Sequence, residues 1–421
     1  MKKSFFLSIG IMLISSFLSA QNIKTNTPWA NGQSSAENLQ ISLITFGPGE
    51  TLTDWWGHTA LVVKDTTLDI SRVYNFGYFS FDEGFISRFA MGRLIFWAGE
   101  NSLAATIAVY VRAKRTIIIQ ELNIPLKKRI ELARKLADAV LPENSRYLYH
   151  HYHENCATRL RDYIDASVGG QFADSMKTKG RLTFREHTLR YTAHQPFMQW
   201  LLMFLMNDTI DKQIFKWDEM FLPDELSKYV ANAVFIDSSG ARQSVVSHGY
   251  TYYESEKKKV PFNASNTPLW SVLSGLILTG LTIGLAQWAS NGQKLSRVIF
   301  LVYNSIISLF LGIIGSVLFF MSLFTDHLVT HGNENLFLAN PITLFIFFLT
   351  LILFFKKSDK LWGYLKLLWM VLAGSSLLLM ILKLLPLFDQ DNYMIMFFLL
   401  PVNVAFAAGH FLFSGSYLRL K

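Results

Sequence analysis

From Pro268 to the C-terminus the chain is overwhelmingly apolar, and this restricts its fold more than any other feature. Five stretches, about 269–288, 298–322, 338–355, 362–385 and 393–413, each approach the ~20 residues a helix needs to cross a bilayer core. Loop charges orient them. Lys294, Arg297, Lys356, Lys357 and Lys360 lie in two of the connecting loops, and Arg419 and Lys421 at the C-terminus. The loops near 323–337 and 386–392 carry no lysine or arginine. By the positive-inside rule the first set is cytoplasmic and residue 268 lies outside.

The other end of the chain agrees. Lys2 and Lys3 precede an apolar run from Phe5 to Leu18, and Ser19-Ala20 offers small residues for cleavage. This pattern is a secretory signal peptide, with an uncleaved anchor as the alternative. No cysteine follows it, so the chain is not expected to be a lipoprotein itself. The expected layout is a signal peptide at 1–20, a periplasmic domain at 21–262 and an all-α transmembrane domain at 263–421. Residues 21–262 mix charged, aromatic and apolar side chains, and such a length can bury a full core. The formal charge of +8 follows in part from membrane topology. No aromatic-plus-basic platform or zinc pattern points to nucleic acid.

Cys156 is the single cysteine of 421 residues. In an oxidising compartment it has no internal partner, so it is either an inert buried residue or a reactive thiol. Its surroundings favour the second reading. Asn155 is a fitting N-cap for a helix from Cys156 to about Val168, closed by Gly169-Gly170. A thiol in a first helical turn is expected to have a lowered pKa, and free amides there can donate to an oxyanion. His58 follows the turn residue Gly57 and opens a strand running to Lys64. Further strands are expected at Ile41–Phe46, Arg72–Phe76 and Ile117–Leu122. Helices are expected at Leu126–Leu141 and over 195–206, and 238–266 reads as a polar hairpin or linker. An imidazole beside the thiol can take its proton and return it to a leaving group. Histidine before cysteine reverses the papain order and suggests a circular permutation.

Trp56-Gly-His-Thr-Ala60, Val73-Tyr-Asn-Phe-Gly77, Asn155-Cys-Ala-Thr-Arg-Leu-Arg-Asp162 and Phe221-Leu-Pro223 resemble the periplasmic domain of the Lnb family of lipoprotein N-acyltransferases. Asp326-His-Leu-Val-Thr-His331, Asn333-Glu-Asn-Leu336 and the five spans are similar to that family's membrane region. The soluble domain also resembles permuted NlpC-type and LRAT-type thiol enzymes. The fold class so implied is α+β: a circularly permuted papain-like periplasmic domain followed by a five-helix bundle in the inner membrane. The implied reaction moves an acyl chain from a phospholipid donor to the α-amine of a diacylated lipoprotein acceptor, through a Cys156 thioester. Cys156 is then the nucleophile and His58 the base, with no cofactor and no metal. Two rival readings remain: a cell-wall amidase of the NlpC type, and a non-catalytic membrane-anchored assembly factor.

Other residues have two readings each. Asn75 could orient His58 or cap the turn at Gly77, and Asp54 is a weaker candidate for the first task. Arg159 could meet a lipid phosphate or pair with Asp162 or Glu154. His150, His151 and His153 crowd the approach to Cys156, but their spacing matches no strong zinc pattern and a metal would quench the thiol. His327 and His331, at i and i+4, could share a helix face and contact a headgroup, or simply be solvated at the interface. Asn403 and His410 are expected to face the bundle. Lys366 and Lys383, near span ends, are expected to snorkel.

Overall fold

The computed structural model describes residues 27–257, 259–264, 269–291, 293–356 and 358–417. The expected signal peptide and Pro268 lie outside the described residues. The chain forms two compact units. Among the described residues, one contains 27–85, Leu94–Arg181 and Ile214–Val260, and the other Ile86–Arg93, Leu182–Gln213 and those from Pro261 onward.

The first unit is built on a seven-stranded antiparallel sheet. Its strands are β1 (Leu39–Phe46), β2 (His58–Asp65), β3 (Ile70–Tyr78), β4 (Ile95–Asn101), β5 (Ile117–Leu122), β6 (Arg146–Leu148) and β7 (Val246–Tyr253). Their spatial order is β7-β5-β1-β2-β3-β4-β6. Side chains alternate across a strand, and here both faces are buried. On one face Leu39, Ile41, Leu43, Leu61 and Val63 pack against Leu132 and Leu136 of helix Leu126–Ala139 and against Ala157, Leu160 and Ile164 of helix Cys156–Ser167. On the other, Ile44, Phe46, Ala60, Val62 and Val73 meet Leu103, Ile107 and Tyr110 of helix Leu103–Arg112. Helices on both faces explain why β1 and β2 read as nearly continuous apolar runs.

The four expected strands fall within β1, β2, β3 and β5, and the expected helices form with ends one or two residues shorter. The polar stretch 238–266 supplies Arg242–Ser244, paired with Val234–Ile236, and the edge strand β7. Most of β7 is exposed, so no apolar alternation marks it.

Among the described residues, the part of the second unit from Pro261 onward holds five apolar helices: Leu269–Ser290, Lys294–Phe324, Ile342–Phe355, Asp359–Leu382 and Tyr393–Tyr417. Four are long and apolar enough to cross a membrane. The third expected span, 338–355, contains a shorter helix than the others. Its helix is 14 residues long, about 21 Å at 1.5 Å per residue, and cannot span a ~30 Å core alone. It counts as a span only together with Leu328–Phe337, from which it is bent by 50°. Inside the bundle, polar side chains pair with one another as expected. Asn304 donates to Thr350 Oγ1 at 2.6 Å and accepts from Trp369 Nε1 at 2.9 Å. His410 Nε2 lies 3.3 Å from the same Asn304 oxygen. Asn403 donates to Leu338 O at 2.8 Å and Ser376 Oγ at 2.9 Å.

Helix Pro196–Leu205 belongs to this unit. Its Trp200, Met203 and Phe204 pack among Leu311, Ile314, Leu318 and Leu399. A buried helix end needs partners for its last carbonyls. Here Asn335 Nδ2 donates to Phe204 O at 2.9 Å, Asn333 Nδ2 to Leu205 O at 2.9 Å and Gln390 Nε2 to Met206 O at 3.0 Å. The Asn333-Glu-Asn335 motif is thus a C-terminal cap supplied by another segment. Lys383 does not snorkel: it is buried and pairs with buried Glu334.

Candidate functional site

Cys156 opens its helix because Asn155 caps it. Asn155, itself extended in backbone, accepts at Oδ1 from the amides of Ala157 (2.8 Å) and Thr158 (3.0 Å), and Thr158 Oγ1 accepts from the Asn155 amide at 2.8 Å. The Asn155 Nδ2 group donates to His151 O at 2.7 Å and Phe221 O at 3.0 Å. That buried residue therefore ties the Cys156 helix to two loops. The cap also consumes two of the amides expected to face an oxyanion. The Cys156 N–H has no backbone acceptor among the described residues. The Thr59 amide, next to His58, reaches the sulfur from β2.

His58 begins β2 directly after Gly57, whose φ of +78° suits glycine. Its Nε2 lies 2.7 Å from Asn75 Oδ1 on β3. A carboxamide oxygen only accepts, so Nε2 carries the proton and Nδ1 is left as the basic nitrogen. A Cβ at Gly77 would stand 3.2 Å from His58 Cε1, so a side chain there would press on the ring. Asn75 is held in turn by the Tyr78 phenol, which also accepts from Asn101 Nδ2. On its other side the imidazole lies parallel to Tyr110, with ring centres 6.3 Å apart, and Tyr110 stacks on Phe46 at 3.5 Å. Among the described residues the thiol makes no hydrogen bond to the ring. Such contacts often tighten only when substrate binds.

Electrostatics depart from expectation. Cys156 keeps part of its surface open, yet the protein around it pushes the thiol up to about 11. Desolvation outweighs the helix amides that were expected to lower it. His58 is drawn down to about 4, first by burial, then by the charge of Arg115, against the opposing effects of Asn75 and Asp54. The resting pair is therefore a neutral thiol and a neutral imidazole. His151 is also held neutral, down to about 3, by burial and by His150.

The structure joins Cys156, His58 and Asn75 in one place and leaves other expected residues elsewhere occupied. Arg159 pairs with Glu154 at 2.6 Å and lies over the Tyr147 ring at 4.0 Å. Asp162 pairs with Arg161 instead, at 2.9 Å. Asp54 binds Arg115 at 2.7 Å. His327 and His331 share no helix face, which corrects that expectation: they flank a single turn, Leu328–Thr330. Their Nε2 atoms sit 2.8 Å from the carbonyls of Phe89 and Thr325 respectively. No group of three His, Cys, Asp or Glu side chains gathers as metal ligands would among the described residues. The residues missed in the sequence are Arg115, Tyr110, Tyr78 and Thr59. Only Thr59, inside the Gly-His-Thr segment, carried any local signal.

Family models match the chain twice: the Lnb N-terminal periplasmic domain over residues 26–194, and the Lnb transmembrane domain over 262–410. The chain belongs to the Lnb family. Neither curated proteins nor solved structures give a match. This Lnb chain is a membrane protein with a periplasmic N-terminal sheet domain and a C-terminal region of four to five apolar helices. The Cys156–His58–Asn75 constellation lies entirely within the match to the Lnb periplasmic domain.

Proposed function

We propose that this Lnb protein is an inner-membrane lipoprotein N-acyltransferase, working through a Cys156 acyl-enzyme in a circularly permuted papain-like domain. The observation that carries the reading is the thiol at a capped helix start, beside a strand whose histidine has Nε2 held by Asn75 and, among the described residues, no hydrogen bond at Nδ1. Membership of a family with a transmembrane region supports a lipid-borne substrate.

In the first step His58 Nδ1 takes the thiol proton as sulfur attacks a phospholipid ester carbonyl. The oxyanion falls to the amides of Cys156 and Thr59. Collapse breaks the ester C–O bond, and the imidazolium gives its proton to the departing lysophospholipid alkoxide. In the second, the α-amine of a diacylglyceryl-cysteine attacks the thioester. Its proton passes to His58 and then to the leaving thiolate, restoring the thiol. A neutral base suits both steps, because each begins with proton removal. No cofactor enters either step.

The test expresses wild type and Cys156→Ser in a Gram-negative host depleted of its own lipoprotein N-acyltransferase. Mass spectrometry then reads the N-terminal peptide of a reporter lipoprotein. A third acyl chain with wild type, absent with the serine variant, is expected. A reporter left diacylated by a folded, membrane-inserted wild type would overturn the reading in favour of a cell-wall hydrolase or a binding protein.

A further inference from the structure

Arg115 is the deepest charge near the pair, with a side chain only 4% exposed. It follows Lys114, whose φ of +52° turns the chain after helix Leu103–Arg112. Nε donates to Gly47 O at 2.7 Å and Nη1 to Asp54 Oδ1 at 2.7 Å. Gly47 and Asp54 lie in the turn that delivers His58. The guanidinium carbon sits 4.7 Å over the Tyr110 ring, the ring parallel to His58. Its Nη2 is buried with no hydrogen-bond partner among the described residues.

A buried cation with one unsatisfied end is an expensive clamp. A neutral side chain could bridge Gly47 and Asp54 at lower desolvation cost. Asp54 is 38% exposed, so solvent weakens its hold on the charge, whereas Arg115 keeps its field inside the protein. The remaining titratable groups facing the thiol are the phenols of Tyr110, Tyr147 and Tyr149, all kept neutral by burial. Arg159, at the start of the Cys156 helix, is paired with Glu154.

We propose that Arg115 is the positioning residue of the site: it fixes the His58 turn and the Tyr110 ring, and its buried charge favours the base-ready imidazole and the developing thiolate. The proposal rests on Cys156 and His58 being the reacting pair, and does not depend on which acyl group they move. It follows that Arg115 acts on the ionisation of the thiol, beyond any effect on folding.

The single cysteine makes the test direct. The full chain in detergent is alkylated with iodoacetamide across a pH series, and the midpoint of the rate profile is read for each variant. Arg115→Gln should move the midpoint to higher pH by about half a unit or more. Arg115→Lys, which keeps the charge, should return it towards wild type. Asp54→Asn leaves Arg115 unneutralised and should move it to lower pH. A folded Arg115→Gln with the wild-type profile would overturn the proposal. If Arg115→Gln fails to fold, an unmoved Asp54→Asn profile would overturn it equally. Labelling requires no lipid or acceptor, so failure of acyl transfer would leave this result standing.

Discussion

At the scale of single residues, two imidazoles of the sheet domain are held uncharged by burial, His58 down to about 4 and His151 to about 3. Both lie below the ~6.5 of an unfolded chain. Between those values the unfolded chain binds more protons. The stabilisation from keeping them neutral is therefore complete above about pH 6.5 and is lost as pH falls towards their folded values. Melting temperatures of the full chain should drop from about pH 7 to about pH 4, and His151→Gln should flatten the slope; a melting temperature constant over that range would contradict this. The proposed pair, Cys156 and His58, was visible in sequence because each half is a local signal, a glycine-histidine turn and an asparagine-capped cysteine. Arg115 was not. Beside Lys114 it reads as a solvated basic pair, and its partners Gly47 and Asp54 lie more than sixty residues away along the chain. The level of the thiol's pKa was misread for a related reason. A helix start is visible in sequence, whereas the desolvation that overrides it is a property of the packed fold.

At the scale of elements, caps set where the site's helix begins and how a buried helix ends. Asn155→Ala removes two bonds to first-turn amides and two to loop carbonyls, so it should cost at least the ~1–2 kcal/mol of a lost cap. Chemical denaturation of the full chain would measure it, and a loss below a few tenths would show the cap to be dispensable. Asn333→Ala strips a donor from the end of helix Pro196–Leu205 and should cost about 1–3 kcal/mol by the same denaturation measurement. Regular elements were legible where burial marks them: β1 and β2 as nearly continuous apolar runs, and helix Leu126–Ala139 by its one-sided apolar period. The edge strand β7 has no buried face to betray it. Composition marks 338–355 as one apolar stretch after a polar loop, and it does not record that Leu328–Phe337 is paired with Ile342–Phe355 across a 50° bend. For the same reason, spacing alone placed His327 and His331 on a helix that does not form.

At the scale of the whole molecule, the sole cysteine reports topology. A membrane-impermeant maleimide added to spheroplasts should label Cys156. A cysteine placed at Ser358 in the Cys156→Ser background should react only after lysis, as the loop charges require. Labelling of Ser358→Cys in intact spheroplasts would invert the proposed orientation. The helical unit also contains Ile86–Arg93 and Leu182–Gln213, so the path of the chain passes from one unit to the other repeatedly. No cut near residue 262 separates them cleanly, because it would strip helix Pro196–Leu205 of the apolar neighbours around Trp200 and Phe204. The consequence reaches into inheritance. A recombination event joining the front of this gene to a different anchor would yield a chain with bare apolar helices, so the two halves are constrained to be gained, lost and diversified together.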